Sequence, residues 1–189
     1  GGRVTVHWPQ RGEKRALIDI AARNAKSSFD EKRLAEHVKR DTLAQIKSVL
    51  KLAREPNRIE CFDISTIQGT SPVGSMVTFD AGVPNKSRYR RYKIRTVEGQ
   101  DDFAMMREML LRRFKRAIEE QDLPDFVLID GGKGQLNVAV TVFKDLGIED
   151  MEVAGIAKSR ALESGDHSPE RFFLPGIKDP IIVAQNSPM

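Results

Sequence analysis

The spacing of apolar residues predicts an N-terminal helical segment that follows a short strand. Residues 3–8, RVTVHW, alternate between apolar and polar side chains, as a strand does. From Ala16 to Leu52 the apolar positions recur at helical spacing, and residues 27–30 offer an N-cap between two helices. Pro56 ends this lead-in, because proline cannot continue a helix.

After Pro56 the pattern changes to the period of extended chain. RIECFDIS (58–65), SPVGSMVTFD (71–80) and SRYRRYKIR (87–95) predict three strands of an antiparallel meander. A helix is predicted from Asp102 to Glu120. Its apolar face is expected to comprise Phe103, Met106, Leu110, Phe114 and Ala117.

The second half of the chain predicts crossover units. DFVLID (125–130) is apolar without alternation, which indicates a strand buried on both faces. A helix over 135–146, a strand over 151–158, a polar loop over 159–170 and a hairpin turned at Pro175 and Gly176 follow. Together these elements predict an α/β fold, a mixed five-stranded sheet flanked by helices, in the order found in RNase H-like nucleases. Residues 1–56 are expected to form the helical lead-in and residues 57–189 the main domain.

Composition narrows the classes of protein that this chain can be. The 189 residues contain 40% hydrophobic residues, enough for a core, and carry a net charge of +4, which permits a polyanionic partner. Cys61 is the only cysteine, which excludes an internal disulfide and a cysteine-based zinc cluster. We expect a cytoplasmic protein without membrane contact, and the first residue, Gly1, suggests an excised fragment.

Three aspartates are candidates for one metal site. Asp63 lies in the first central strand on the side of Ile59 and Cys61, and Asp130 ends the other central strand. Asp102 begins the helix after Gly99. If the strands are neighbours, their carboxylates converge, and oxygen donors without a histidine cluster suit Mg²⁺ or Mn²⁺ better than zinc. The sequence leaves structural explanations open: an N-cap at Asp102, backbone hydrogen bonds at Asp63, and a cap on the glycine turn at Asp130.

Two further segments carry candidate phosphate contacts. DGGKGQ (130–135) lacks the spacing of a nucleotide-binding P-loop, but its glycines can bring backbone amides close to an anion and Lys133 can neutralise a phosphate. In KSRYRRYKIR (86–95) cations alternate with tyrosines, which predicts a nucleic-acid track or, alternatively, a charged edge strand that resists pairing. The expected contacts are Arg88, Tyr89, Arg90, Arg91 and Lys93.

RIECFDIS, GQDDFAMMREMLLRRF and LPDFVLIDGGKGQL resemble the UvrC family, a component of the bacterial nucleotide excision repair endonuclease. RALIDIAARNA before the strands and RFFLPGIKDPIIVAQNSP after them extend the resemblance over nearly the whole chain. The similar region of the family is an RNase H-like domain that incises DNA 5′ to a lesion. The resemblance implies that Asp63, Asp102 and Asp130 are the metal-binding catalytic carboxylates.

The resemblance also implies damaged double-stranded DNA and UvrB, with the UvrA–UvrB system, as partners. In the family a helix containing RDEAHRF supplies an active-site histidine, and this sequence ends at Met189 without it. We therefore expect these 189 residues to be truncated before that helix and inactive alone. The competing hypothesis is a catalytically silent DNA-binding or protein-docking module with the same fold.

Overall fold

The computed structural model describes residues 9–65, 72–97, 99–158 and 169–183. The strand predicted over residues 3–8 and most of the polar loop predicted over 159–170 lie outside this range. The chain divides into two compact units, Gly1–Lys39 and Arg40–Met189. None of the helices among the described residues is both long and apolar enough to span a membrane.

The elements follow one another in the predicted order. They are α1 (Glu13–Leu50), β1 (Arg58–Ser65), β2 (Val73–Asp80), β3 (Val83–Pro84), a 3₁₀ turn (Lys86–Arg88), β4 (Arg90–Lys93), α2 (Asp102–Glu119), β5 (Phe126–Asp130), α3 (Lys133–Asp145), β6 (Glu152–Ala157), β7 (Glu170–Phe173) and β8 (Ile181–Val183).

One mixed sheet contains all eight strands of the described residues. β1 pairs antiparallel with β2 and parallel with β5, β5 pairs parallel with β6, and β4 pairs antiparallel with β2. These five are the strands predicted from the sequence, so the predicted RNase H-like fold class is confirmed. The sheet is larger than predicted, because β3 adds to β2 and the hairpin β7–β8 joins the edge of β6.

Each face of the sheet carries its own apolar core. Phe62, Val127 and Ile129 pack with residues of α2 and α3 on one face. Ile59 and Phe126 pack on the other face with the end of α1, from Leu43 to Leu50. β5 contributes to both cores, as its unbroken apolar pattern indicated.

The helical lead-in differs from the prediction, since α1 is one helix rather than two. The side chain of Ser27 bonds to Glu31 at 3.4 Å on the helix surface and does not start a second helix. No glycine or proline occurs between Glu13 and Leu50, so the backbone has no residue that would force an interruption.

A buried ion pair joins β1 to α2. Glu60 is fully buried and accepts two hydrogen bonds from the Arg113 guanidinium, at 3.0 and 2.6 Å. Arg113 also donates to the backbone carbonyl of Asp122 at 3.0 Å. Arg58 and Arg88 pair with the Asp122 carboxylate, and the hydrogen bond from Arg88, opposed in part by burial, lowers the pKa of Asp122 to about 2.

Candidate active site

Asp63 and Asp130 lie side by side at the carboxyl ends of two central strands. The parallel register pairs Cys61 with Leu128 and Phe62 with Ile129, so the next step along both strands brings Asp63 beside Asp130. Both aspartates share a face with Cys61 and Leu128, because positions two apart along a strand point the same way. The end of α1 packs against this face around Ile59 and Phe126, whereas Asp63 is exposed.

The two carboxylates repel each other. Partial burial raises the pKa of Asp63, and the charge of Asp130 raises it further. Lys158 and a hydrogen bond from the backbone of Ile64 act in the opposite direction, while Asp102 adds a smaller increase. Asp102 is thus near enough for its charge to raise the pKa of Asp63. Converging negative charge of this kind attracts a cation.

Lys158 is the residue of this site that sequence reasoning missed. Its ammonium group forms an ion pair with the Asp130 carboxylate, and that hydrogen bond raises the pKa of Lys158. The side chain is 69% exposed, whereas that of Asp130 is 26% exposed, so the ammonium group can leave without disturbing the core. Ile156 pairs with Asp130, and Lys158 is two residues further on, on the same face. The sequence alone gives no signal for this pair, because the pair depends on the register between β5 and β6.

Asp102 does not act as the helix cap. Asp101 is the N-cap of α2, and its side chain accepts a hydrogen bond from the backbone N–H of Ala104 at 3.0 Å. Asp102 is the first helical residue and is exposed. The capping explanation for Asp102 is therefore wrong, and its carboxylate has no capping function that would compete with a metal.

The residue types at this site fit a hard divalent cation. Asp63, Asp102 and Asp130 offer oxygen donors, and partial burial, followed by the charge of Asp130, raises the pKa of Asp63. Within the part of the chain that the structure describes, no three histidine, cysteine or acidic side chains lie close enough together to hold one ion. Convergence of all three aspartates on a common ion stays a prediction.

The glycine turn after β5 is held by contacts within the protein. The Gly131 N–H donates to the Ile156 carbonyl at 2.9 Å, and the Gly132 N–H donates to the Gln135 side chain at 3.1 Å. These two amides are therefore not directed at an anion, contrary to the expectation from the glycine pattern. These two hydrogen bonds fix the turn, so the turn does not depend on a cap by the Asp130 side chain. The exposed Lys133 donates to the Lys178 carbonyl.

A cleft of about 330 Å³ opens beside Asp130. It runs along the ends of β5 and β6 to the start of α3, and Lys158 and Arg171 supply its cations. Gln135 and the backbone of Gly131 and Gly132 complete the polar part of its wall. Two cations next to the carboxylates give this cleft the charge that a phosphate group requires.

The basic segment splits between the two faces of the sheet. Arg88 is held by the Asp122 carboxylate at 2.9 Å, and Arg90 donates to the carbonyls of Ser87 and Tyr89 at 2.8 and 2.9 Å. Tyr92 packs against the core beneath α2. These side chains are occupied by structural contacts on or near the α2 face.

Arg91 and Lys93 are different, because the register places them on the face of the carboxylates. Asp63 pairs with Ser75, and Ser75 pairs with Arg91, so the three lie in one row across β1, β2 and β4. Two strand spacings of about 4.8 Å put Arg91 roughly 10 Å from Asp63 along this row. Arg91 and Lys93 are exposed. β4 is also an edge strand, so both a phosphate track and a charged edge are compatible with this position.

Comparison with known proteins agrees with the resemblance seen in the motifs. Residues 47–189 match the family described as UvrC RNAse H endonuclease domain, and residues 1–32 match the UvrC Ribonuclease H-like domain. UvrABC system protein C of Syntrophotalea carbinolica is 47% identical over 194 residues, covering 100% of this chain and 32% of that protein. The Geobacter metallireducens protein is 46% identical, covering 99% and 31%. The chain thus spans about a third of the length of these relatives.

Solved structures with a similar arrangement include endonuclease V proteins. Ciona intestinalis endonuclease V, in complex with an inosine-containing DNA, aligns with a TM-score of 0.42 and 12% identity over 83% of this chain and 82% of that one. Bacillus subtilis endonuclease V aligns with a TM-score of 0.36 and 15% identity over 75% and 72%. The likeness to these structures is weak, whereas the sequence match covers most of the chain. The chain belongs to the UvrC RNase H endonuclease domain family.

Proposed function

We propose that this chain is the domain that cuts DNA on the 5′ side of a lesion in nucleotide excision repair, by metal-dependent phosphodiester hydrolysis. The observation that carries the proposal is the pair Asp63 and Asp130 at adjacent strand ends, with Asp102 near enough to raise the pKa of Asp63. Membership of the UvrC family supports the reaction class. Damaged double-stranded DNA is the proposed substrate, and UvrB, with the UvrA–UvrB system, is the proposed partner.

The three aspartates would hold Mg²⁺ or Mn²⁺. When bound, such an ion would polarise a phosphoryl oxygen and lower the pKa of a nearby water. Lys158 now neutralises Asp130, so a cation at the carboxylates frees its ammonium group for a phosphate in the adjoining cleft. Lys158 and Arg171 would hold that phosphate in place.

The track for the DNA strand is proposed along Arg91 and Lys93. Both are exposed on the carboxylate face, so phosphates bound there would lead a strand towards Asp63. Lys133, at the start of α3, is proposed to contact a phosphate after release from the Lys178 carbonyl. Arg88 and Arg90 can contribute only after giving up the contacts they make within the protein, and Tyr89 is proposed as a stacking contact beside them.

The test is incision of an end-labelled duplex that carries one bulky adduct. The chain is used in excess over DNA, so that a single incision per DNA molecule can be detected. A nick on the 5′ side that requires Mn²⁺ and disappears in Asp130→Asn is expected. Asp145→Asn is the matched control and should keep the activity, because Asp145 is an exposed carboxylate at the end of α3 that pairs with Arg107 of α2. A nick that persists in EDTA or in Asp130→Asn would contradict the proposal.

The Lys158–Asp130 ion pair favours a second candidate function. A lysine that stays on Asp130 would occupy the place of the cation and leave a silent DNA-binding or protein-docking module. Lys158→Gln separates the two. In a metal-dependent nuclease it should tighten Mn²⁺ binding, because a competing cation is removed. A silent module would bind DNA with unchanged affinity whether or not Mn²⁺ is present.

A further inference from the structure

Phe103 is the one member of the predicted apolar face of α2 that the protein leaves exposed. The next residues of that face, Met106, Leu110 and Phe114, are fully buried, whereas Phe103 is 52% exposed. Helical spacing predicts it in the core, and that prediction is wrong. The reason is its place in the first turn of α2, at the edge of the core rather than above it.

The exposed ring of Phe103 packs against Gly134 of α3. A side chain at Gly134 would place its Cβ 2.6 and 2.9 Å from two ring atoms of Phe103, so the ring occupies the space that Gly134 leaves free. A side chain at position 134 would therefore displace the ring from this position. This accounts for the third glycine of DGGKG, which the turn itself does not require. Asp101 caps the helix turn that carries the ring.

Phe103 and Gly134 are each next in sequence to a candidate active-site residue. Phe103 directly follows Asp102, and Gly134 directly follows Lys133 in the segment that leaves Asp130. A single exposed apolar side chain is ordinary on protein surfaces. An exposed aromatic ring that packs against α3 and directly follows a candidate metal ligand in the sequence is suited to contact the substrate.

We propose that Phe103 is a stacking site for a nucleobase of the DNA strand, at a nucleotide beside the bond that is cut. This inference rests on the proposed function and adds a subsite to it. A phenyl ring has no hydrogen-bonding group, so it holds a base by its face without reading its identity. Such a contact positions the strand and leaves the choice of sequence open, which is what incision at lesions in any sequence requires.

Tryptophan fluorescence provides a direct readout of stacking. Trp8 is the only tryptophan, so Phe103→Trp in a Trp8→Phe background carries a single reporter at the proposed subsite. Ile118→Trp in the same background is the control, since Ile118 is 42% exposed near the opposite end of the same helix. A gapped duplex with a few unpaired nucleotides is the probe, and an abasic nucleotide is moved through it one position at a time. We expect the gapped duplex to quench the fluorescence of the tryptophan at position 103, and we expect this quenching to disappear when one particular base is missing.

A conservative substitution measures how much the ring contributes. Phe103→Leu keeps an apolar contact with Gly134 but removes the aromatic face, and should weaken binding of the gapped duplex about tenfold at constant salt. Ile118→Ala, at the opposite end of the same helix, should not alter the affinity. Melting temperatures of the variants show whether weaker binding follows from unfolding.

The results separate this inference from the function on which it rests. Base-dependent quenching without any metal-dependent incision supports the subsite and contradicts the nuclease. Incision that is as fast in Phe103→Leu as in the wild type, with no quenching in Phe103→Trp, overturns the subsite and leaves the nuclease standing. Quenching that is unchanged by every abasic position also overturns it, because the ring would then be near DNA without stacking on a base.

Discussion

Replacing Arg113 with methionine would remove the positive partner of a carboxylate that has no access to water. Glu60 is fully buried in β1, and the side chain of Arg113 is 7% exposed. Methionine keeps much of the length and apolar surface of the arginine stem, so the change removes mainly the charge and four hydrogen bonds, at 3.0, 2.6, 3.0 and 3.4 Å. β1 carries Asp63 and α2 starts with Asp102, so the pair also helps to set the positions of two candidate metal ligands.

The expected loss is about 3–5 kcal/mol in the free energy of unfolding, the usual cost of breaking a buried ion pair by removing one partner. The double variant Glu60→Leu, Arg113→Met should recover much of that loss, because it removes the buried charge as well. Arg116→Met is the matched control. Arg116 lies one turn further along α2 in an exposed pair with Glu120, where solvent screening leaves little to lose.

Urea denaturation followed by far-ultraviolet circular dichroism measures all four proteins at pH 7. The reasoning is refuted if Arg113→Met unfolds within about 1 kcal/mol of the wild type, since an unpaired buried carboxylate cannot cost so little. It is also refuted if the double variant is clearly less stable than Arg113→Met alone, as it would be if the two substitutions destabilised the core independently. In that case the pair would be a source of net stability rather than a charge that requires compensation.

Three further outcomes are expected. Asp130→Asn should lower the pKa of Asp63, measured by NMR titration of its carboxyl carbon, because the neighbouring charge that raises it is gone; the melting temperature without metal should hardly change, because the ion pair that is removed is exposed. Replacing Arg91 and Lys93 with glutamine should reduce the slope of log affinity for DNA against log salt by about one unit for each phosphate that is no longer neutralised. The pKa of Asp122, about 2, lies below the value in the unfolded chain, so its contribution to stability is complete above roughly pH 4 and disappears as the pH falls towards 2. The free energy of unfolding of Asp122→Asn should therefore depend less steeply on pH between about 4 and 2 than that of the wild type.

The main lines of the fold could be predicted because they depend on local periodicity. Alternation predicts β1 with its observed bounds, and the unbroken apolar run of β5 indicates a strand that is buried on both faces. The continuity of α1 could not be predicted, since a good capping sequence at Ser27 competes with helix propensity on both sides and the competition is close. The addition of β7 and β8 to the same sheet is a long-range pairing that a local pattern does not contain.

The site was predictable to the extent that strand ends determine it. Asp63 and Asp130 could be placed side by side from period-two counting and from the parallel order of the two strands. The ion pair of Asp130 with Lys158 depends on the register between β5 and β6, and the partner of Glu60 depends on how α2 docks. Both require the three-dimensional arrangement, because the residues are 28 and 53 positions apart.

Binding of Mn²⁺ to the free protein tests the central claim most directly. Titration calorimetry is run on the wild type, on asparagine variants of Asp63, Asp102 and Asp130, and on Asp101→Asn. Asparagine caps a helix as well as aspartate does, so Asp101→Asn changes a neighbouring charge without disturbing α2. The account predicts that each of the three variants weakens Mn²⁺ binding by at least about tenfold, and that Asp101→Asn leaves it unchanged. Equal binding by the wild type and the three variants, or an equal loss in Asp101→Asn and Asp102→Asn, would contradict a metal site built from these carboxylates.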